Sequence, residues 1–205
     1  MQLISLYRGL QKVEFTESKS MKIYLFLRKI HYEIERRKKE YYLNGLKKKG
    51  LTIGKNVGIA SDFFFDPSHC FLINIGDNCT IGPNVRLIAH DASTKKILGY
   101  TKIGKINIKE NCFIGDSAII LPNVNIGPNS IIGAGSVVTK DIQANMVAAG
   151  NPAKIIVSID EYIKKSKAIS QNKKVFGKEY WIENLDESKC SEILRSIAED
   201  IGFID

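Results

Sequence analysis

The sequence predicts a mainly β solenoid of short, stacked parallel strands with helical extensions at both ends. An aliphatic residue recurs at every sixth position from Ile108 to Val138, and small or turn-forming residues such as Gly115 and Gly133 follow it in several hexads. A helix requires apolar residues every three or four positions and a simple strand every second one. A period of six therefore indicates an internal repeat, in which each hexad supplies one short strand and one corner. Three hexads can close a coil, and successive coils then pair as parallel strands.

The same frame continues upstream with two interruptions. It includes Ile75, Ile81 and Leu87, and more weakly Ile53 and Ile59. The separations Ile59 to Ile75 (16 residues) and Leu87 to Ile108 (21 residues) are not multiples of six, so each gap is expected to hold a bulge or a loop. The first gap carries residues 63–70 and the second carries residues 90–105. Insertions that leave a solenoid are common positions for binding and chemistry.

Residues 1–50 are predicted to form a basic amphipathic helical extension. They contain 13 Lys or Arg and 5 Asp or Glu, which accounts for the whole net charge of +8. Apolar residues recur at helical spacing among the basic clusters, at Ile23, Leu27, Ile30, Ile34 and Tyr41. The helix could cap the open end of the solenoid and leave its lysines in water. Alternatively, residues 20–49 could contact an anionic membrane surface. No base-reading module is recognisable, so no nucleic-acid partner is expected.

The remaining chain divides into two predicted segments. Residues 51–157 form the repeat domain, and residues 158–205 form a C-terminal helical tail that packs on the solenoid. No apolar run reaches the ~18 residues of a membrane-spanning helix, and the N-terminus lacks the apolar core of a signal peptide. We therefore expect a cytoplasmic protein, with peripheral contact at the inner face of the membrane as the alternative. The four cysteines match no zinc-site spacing, and no metal is expected.

One part of the sequence resembles a known family. The run from Ile126 to Asp141, followed by residues 148–154 with their Gly-Asn-Pro-Ala-Lys exit, resembles the signature of hexapeptide-repeat O-acetyltransferases. The resemblance is closest to the branch that contains the maltose, galactoside, nodulation-sugar and capsular polysaccharide acetyltransferases, and it covers roughly residues 51 to 157. It implies a left-handed parallel β-helix, a homotrimer, and acetyl-CoA as the acetyl donor.

The resemblance also implies a reaction and residues to perform it. Acetyl would pass directly to a hydroxyl of a small-molecule or glycan acceptor, most plausibly a sugar in surface polysaccharide biosynthesis. A neutral imidazole can remove the hydroxyl proton during attack, and His90 stands where the family carries its catalytic histidine. Asp66 and Asp91 are the predicted acceptor-binding residues. Each residue also has a purely structural interpretation. His90 could be a corner histidine that hydrogen-bonds to its own loop, and Asp66 could belong to an Asp-Pro turn in which its carboxylate caps the local backbone.

The predicted acetyl-CoA contacts rest on the resemblance alone. Small residues would let the pantetheine arm approach the coils, Thr139 and Lys140 would contact its distal end, and Lys154 would meet the nucleotide phosphates. The full set is Gly115, Gly133, Ala134, Thr139, Lys140 and Lys154. The alternatives are that the small residues only turn corners and that Thr139 and Lys140 form a solvated edge.

Three other functions remain open from the sequence. Amino-sugar N-acetylation and serine O-acetylation use the same donor with a different acceptor. A non-catalytic β-helix that binds or scaffolds is the third possibility, because repeat proteins commonly do so. The position of His90 at a break in the repeat favours an enzyme.

Overall fold

A computed structural model describes residues 19–60, 62–198 and 200–205. Two compact units are present, and they divide at Lys48 and Lys49. The first 18 residues of the predicted N-terminal extension lie outside the described residues.

The described part of the first unit forms the helix α1 (Lys19–Lys48). Two lysines in its last turn interact favourably with the helix dipole. Ion pairs along the helix join Arg36 to Glu33 (2.7 Å) and Glu40 (2.6 Å). The apolar side chains of Leu27, Ile30 and Ile34 are exposed, whereas the side chain of Ile23 lies outside the described set. No helix within the described ranges combines the length and apolarity needed to cross a membrane.

The second unit begins with the solenoid, whose strands are mostly two or three residues long. In chain order they are β1 (Thr52–Ile53), β2 (Gly58–Ile59), β3 (Phe64–Phe65), β4 (Ile73–Ile75), β5 (Thr80–Ile81), β6 (Arg86–Leu87), β7 (His90–Asp91), β8 (Lys102–Ile103), β9 (Ile106–Ile108), β10 (Phe113–Ile114), β11 (Ile119–Ile120), β12 (Val124–Ile126), β13 (Ile131–Ile132), β14 (Val137–Val138), β15 (Met146–Gly150) and β16 (Ala153–Ser158). A four-residue helix, α2 (Lys95–Leu98), lies between β7 and β8.

Three parallel sheets form the sides of the solenoid, and each coil contributes one strand to each sheet. The first sheet has the order β1-β4-β9-β12, the second β2-β5-β10-β13-β15 with β16 added antiparallel, and the third β3-β6-β11-β14. The register stacks the sixth-position residues on one another, as in the pairing of Ile114 with Ile81 and Ile132. The predicted parallel β-helix is therefore present.

The aliphatic ladder forms the core. The repeat residues from Ile108 to Val138 are fully buried. Phe65, which stands six positions after Ile59, is also fully buried, and it pairs with Leu87. The first interruption therefore begins after Phe65 and not at Phe63 as the sequence suggested, because the aromatic side chain occupies the aliphatic position of its hexad. The extra residues between Phe65 and Ile73 include a short 3₁₀ turn (Cys70–Leu72).

Asparagines turn one corner of each coil in a left-handed conformation. Asn111, Asn129 and Asn145 have φ near +60°, which asparagine tolerates better than most residues. Their side chains also join successive coils, since Asn111 donates to Asn129 (3.0 Å) and Asn129 donates to Asn145 (2.9 Å). These residues form the corner between the first sheet and the second.

The C-terminal segment continues directly from the solenoid. It contains α3 (Ile159–Gln171), a parallel pair formed by β17 (Val175–Phe176) and β18 (Phe203–Ile204), and α4 (Glu187–Ser196). Ser158 caps α3 by accepting from the N–H of Glu161 (3.3 Å). Phe176 is buried, and its ring lies 4.9 Å from that of Tyr180. The segment belongs to the same compact unit as the solenoid.

Candidate functional site

The carboxyl ends of the third sheet form one edge of the solenoid, and both interruptions leave the coil there. The N–H of Asp66 donates to Leu87 (3.0 Å), and the N–H of Ile88 donates to Ile120 (2.9 Å). In the following coil, the N–H of Leu121 donates to Val138 (3.0 Å). Parallel strands end at the same side of a sheet, so residues far apart in the sequence meet at this edge.

Asp66 lies at the centre of the site as a fully buried carboxylate. One oxygen, Oδ1, accepts from the N–H groups of Ser68 (3.1 Å) and His69 (3.2 Å). The other, Oδ2, accepts from the N–H of Ala89 (3.1 Å) and contacts Nδ1 of His90. Four donors therefore surround a carboxylate that solvent does not reach. The contact between Asp66 and the acceptor stays a prediction.

His90 begins β7 and contacts Asp66 through Nδ1. A carboxylate only accepts hydrogen bonds, so this contact places the imidazole proton on Nδ1 and leaves a lone pair on Nε2. The His90 side chain is 34% exposed, which gives the ring access to solvent. An imidazole that is oriented in this way and partly exposed can act as a general base when it is neutral.

The electrostatics keep Asp66 ionised. Burial opposes ionisation of the carboxyl, but the hydrogen bond and charge of His90 and the N–H groups of Ser68 and His69 outweigh it. The pKa of Asp66 is therefore lowered from its ordinary value of 3.8. An ionised Asp66 holds the His90 tautomer and would stabilise the imidazolium that forms when His90 takes a proton.

A second histidine packs against this pair. The ring of His69 lies 4.9 Å from that of His90 and 6.0 Å from that of Phe71. Its Nδ1 is buried and has no hydrogen-bond partner among the described residues. This atom lies 3.9 Å from Oδ1 of Asp66, beyond hydrogen-bonding distance. No role is predicted for His69 from the sequence, because it stands in an unpatterned turn.

Asp91 closes the base of the long loop. Its carboxylate binds Nζ of Lys102 (2.9 Å) and accepts from the N–H of Ser93 (2.9 Å). Hydrogen bonding to Lys102 is the main cause of its strongly lowered pKa. The strands β7 and β8 pair antiparallel at this point, and the tip between them exposes Ile97, Leu98 and Tyr100. Asp91 thus holds the loop that begins at His90, and its predicted contact with the acceptor stays a prediction.

The residues predicted to bind acetyl-CoA occupy two different edges of the coil. Thr139 and Lys140 are exposed and follow β14, at the same edge as Asp66 and His90. Gly115, Gly133, Ala134 and Lys154 lie at the carboxyl edge of the second sheet, where β16 places Lys154 beside Ala149.

Packing between coils explains part of the glycine pattern. A Cβ at Gly115 would lie 2.6 Å from the backbone nitrogen of Ala134, and one at Gly133 would lie 2.8 Å from the Cβ of Ala149. At Gly135 no heavy atom of the described chain lies within 4 Å of the added Cβ, and φ is +67°. The backbone at Gly135 is therefore open to close approach, whereas Gly115 is needed where the coils touch.

The contact between Asp66 and His90 was not predicted from the sequence, although the register of the hexads could have revealed it. Placing Phe65 in the hexad frame sets it beside Leu87, and this puts Asp66 at the edge from which the His90 loop leaves. The salt bridge between Asp91 and Lys102 was also missed, because it depends on how the loop returns to the coil.

Comparisons with known proteins agree with the repeat. Residues 105–140 match the family model described as bacterial transferase hexapeptide (six repeats). The galactoside O-acetyltransferase of Escherichia coli is 36% identical over 65% of this chain and 65% of its own length. The Lactococcus lactis galactoside O-acetyltransferase is 40% identical over 53% of this chain and 56% of its own length. The chain thus spans less than two thirds of these curated relatives.

A solved structure of a galactoside acetyltransferase in complex with coenzyme A is also similar. It is 34% identical, with a TM-score of 0.45, and the match covers 58% of this chain and 70% of that one. The family model and these sequence identities show that residues 105–140 carry the hexapeptide repeat of bacterial transferases and that the chain is similar to galactoside O-acetyltransferases.

Proposed function

We propose that the protein transfers acetyl from acetyl-CoA to a hydroxyl group of a sugar, with His90 as general base and Asp66 as its positioning residue. The observation that carries the proposal is the contact between buried Asp66 and Nδ1 of His90. It leaves Nε2 as the proton acceptor on a partly exposed ring. The names of the galactoside O-acetyltransferase relatives support a sugar acceptor.

The proposed reaction proceeds by direct transfer. Nε2 of His90 accepts the hydroxyl proton as the acceptor oxygen attacks the thioester carbonyl, and a new C–O bond forms. The tetrahedral intermediate then collapses, the C–S bond breaks, and the imidazolium returns the proton to the departing thiolate. Asp66 favours the charged imidazolium throughout. No covalent enzyme intermediate is required.

The described residues fit an acetyl-CoA donor. A pantetheine arm needs exposed backbone, which Gly135 offers, and CoA phosphates need positive charge, which exposed Lys140 and Lys154 could supply. These groups lie on two edges of one coil stack. We propose that a homotrimer brings one chain's His90 edge beside a neighbour's Gly133 edge. The outward-facing Ile119 and Val137, which are paired on the third sheet, support such packing as an apolar patch between the two edges; Arg86 separates them from Phe64 and lies over its ring.

A screen of acceptors tests the proposal. Purified protein is incubated with acetyl-CoA and a set of sugars, nucleotide sugars, amino sugars, serine and chloramphenicol, and thiol release is measured. Release that depends on a sugar hydroxyl supports the proposal, and a surface-glycan building block among the active acceptors would support a role in polysaccharide biosynthesis. A preference for an amine or for serine would show that the acceptor is not a sugar hydroxyl. Failure of saturating acetyl-CoA to raise the melting temperature would favour a scaffold.

We also propose that α1 makes peripheral contact with an anionic membrane. Exposed Arg28 and Lys29 lie on the same helix as the basic cluster at its end, and each cation near such a surface can add about 1 kcal/mol. The ion pairs of Arg36 reduce the charge available. Flotation of the full chain with vesicles of anionic lipid, compared with neutral vesicles, tests this proposal. Equal recovery with both would exclude an electrostatic contact.

A further inference from the structure

The buried nitrogen of His69 is unusual because a polar atom without a partner is costly in a protein interior. Nδ1 of His69 has no hydrogen-bond partner among the described residues, although the side chain is 28% exposed overall. The atom lies 3.9 Å from a carboxylate oxygen of Asp66. The acetyl transfer proposed above makes no use of it.

His69 completes a cluster of metal-binding groups. Asp66, His69 and His90 each present one ligand atom, and these atoms lie within 4.8 Å of one another. Two imidazole nitrogens and one carboxylate oxygen are ligands that zinc and neighbouring transition metals accept. We propose that Asp66, His69 and His90 form a binding site for a divalent transition metal such as Zn²⁺.

Only small movements are needed to form this site. Zinc lies about 2.0–2.2 Å from nitrogen and oxygen ligands, so tetrahedral ligand atoms are roughly 3.3 Å apart. The separation of 3.9 Å between His69 and Asp66 is already close to that value. Asp66 is fixed by backbone donors on both oxygens, whereas His69 adjoins a short 3₁₀ turn and is partly exposed. The His69 ring can therefore turn toward the carboxylate, while the His90 ring must shift away from it, because their contact is shorter than the spacing of zinc ligands.

The consequence for catalysis rests on the proposed function. A metal at Nδ1 of His90 binds the tautomer whose single ring proton stands on Nε2, so the proton moves from Nδ1 to Nε2. With a metal on one nitrogen and a proton on the other, the ring has no lone pair left to accept the hydroxyl proton. The metal is therefore an inhibitor that competes with the active arrangement, and it takes no part in acetyl transfer.

Binding is measured first, without reference to activity. The metal-free full-length protein is titrated with Co²⁺ while its visible absorption is recorded, and with Zn²⁺ by calorimetry. We expect one metal per chain and a cobalt spectrum typical of nitrogen and oxygen ligands. His69→Phe keeps an aromatic ring beside His90 but removes the ligand atom, and it should weaken binding at least ~10-fold. His31→Phe, on α1, and Cys190→Ser are matched controls that should bind as the wild type does.

The outcomes separate the two proposals. Absence of stoichiometric binding, or equal binding by wild type and His69→Phe, would overturn the metal site. If an acceptor has been found, Zn²⁺ should inhibit the wild type and the His31→Phe variant at concentrations that titrate the site. Metal binding that depends on His69 in a protein without acetyltransferase activity would support the site and reject the proposed function.

Discussion

Asp66 is the residue whose role the structure changes most. A fully buried carboxylate with donors on both oxygens can hold the imidazole of His90 in one tautomer, a role distinct from the predicted contact with the acceptor. In Asp66→Asn the side-chain amide would donate to Nδ1, and the proton of the ring would move to Nε2. We expect kcat to fall about 10²-fold, in the range of general base catalysis, with little change in the KM for the acceptor.

Steady-state kinetics with acceptor varied at saturating acetyl-CoA measure both parameters. A raised KM with nearly unchanged kcat would instead support the predicted acceptor-binding role for Asp66. Circular dichroism shows whether the variant is folded. We expect it to fold, because asparagine can still accept from the N–H groups of Ser68 and His69.

The lowered pKa of Asp66 predicts how stability depends on pH. Its contribution is fully present above the ordinary value of 3.8 and is lost as the pH falls through the lower pKa of the folded state. Between about pH 5 and pH 2, the melting temperature of the wild type should therefore decline more steeply than that of Asp66→Asn. Thermal unfolding followed by circular dichroism checks this. Parallel curves for the two proteins would show that the ionised carboxylate does not contribute to stability.

At the scale of the strand and coil, the aliphatic ladder determines stability. Ile120 is fully buried between Leu87 and Val138 in the third sheet. Its replacement by alanine removes buried methylene groups and leaves a cavity, so we expect a loss of about 2–5 kcal/mol in the free energy of unfolding. Chemical denaturation measures the change.

Ile182→Ala provides the control, because Ile182 is 78% exposed. Its effect should stay within about 0.5 kcal/mol. Similar losses for the two variants would mean that the ladder is not the main core of the second unit.

The period of six was sufficient to predict the strands, their parallel pairing and their buried side chains. Phe65 stands six positions after Ile59 and so fits the period, but an aromatic residue at a broken edge of the repeat does not continue the aliphatic pattern and was not assigned to it. The contact between Asp66 and His90 followed from that position and was missed with it. The stacking of His69 on His90 depends on an irregular turn for which sequence periodicity carries no information.

At the scale of the whole molecule, the separation of the predicted donor residues into two edges calls for a neighbouring chain. We expect light scattering to give three times the 23.0-kDa chain mass. Ile119→Lys, on the apolar outer face of the third sheet, should dissociate the trimer and reduce acetyl transfer, because a charge in an apolar interface is costly.

Thr52→Lys is the matched control, since Thr52 is exposed on the first sheet, and it should remain trimeric and active. A wild-type monomer with full activity would show that one chain contains the complete site.

The most direct test of the account is the turnover of His90→Ala. Measured by thiol release with the best acceptor from the screen, its kcat should be at least about 100-fold below that of the wild type, while His31→Ala retains full activity. Thermal stabilisation by acetyl-CoA should persist in His90→Ala, because His90 is not one of the proposed donor contacts. A folded His90→Ala protein with a kcat within tenfold of the wild type would contradict the assignment of His90 as the general base.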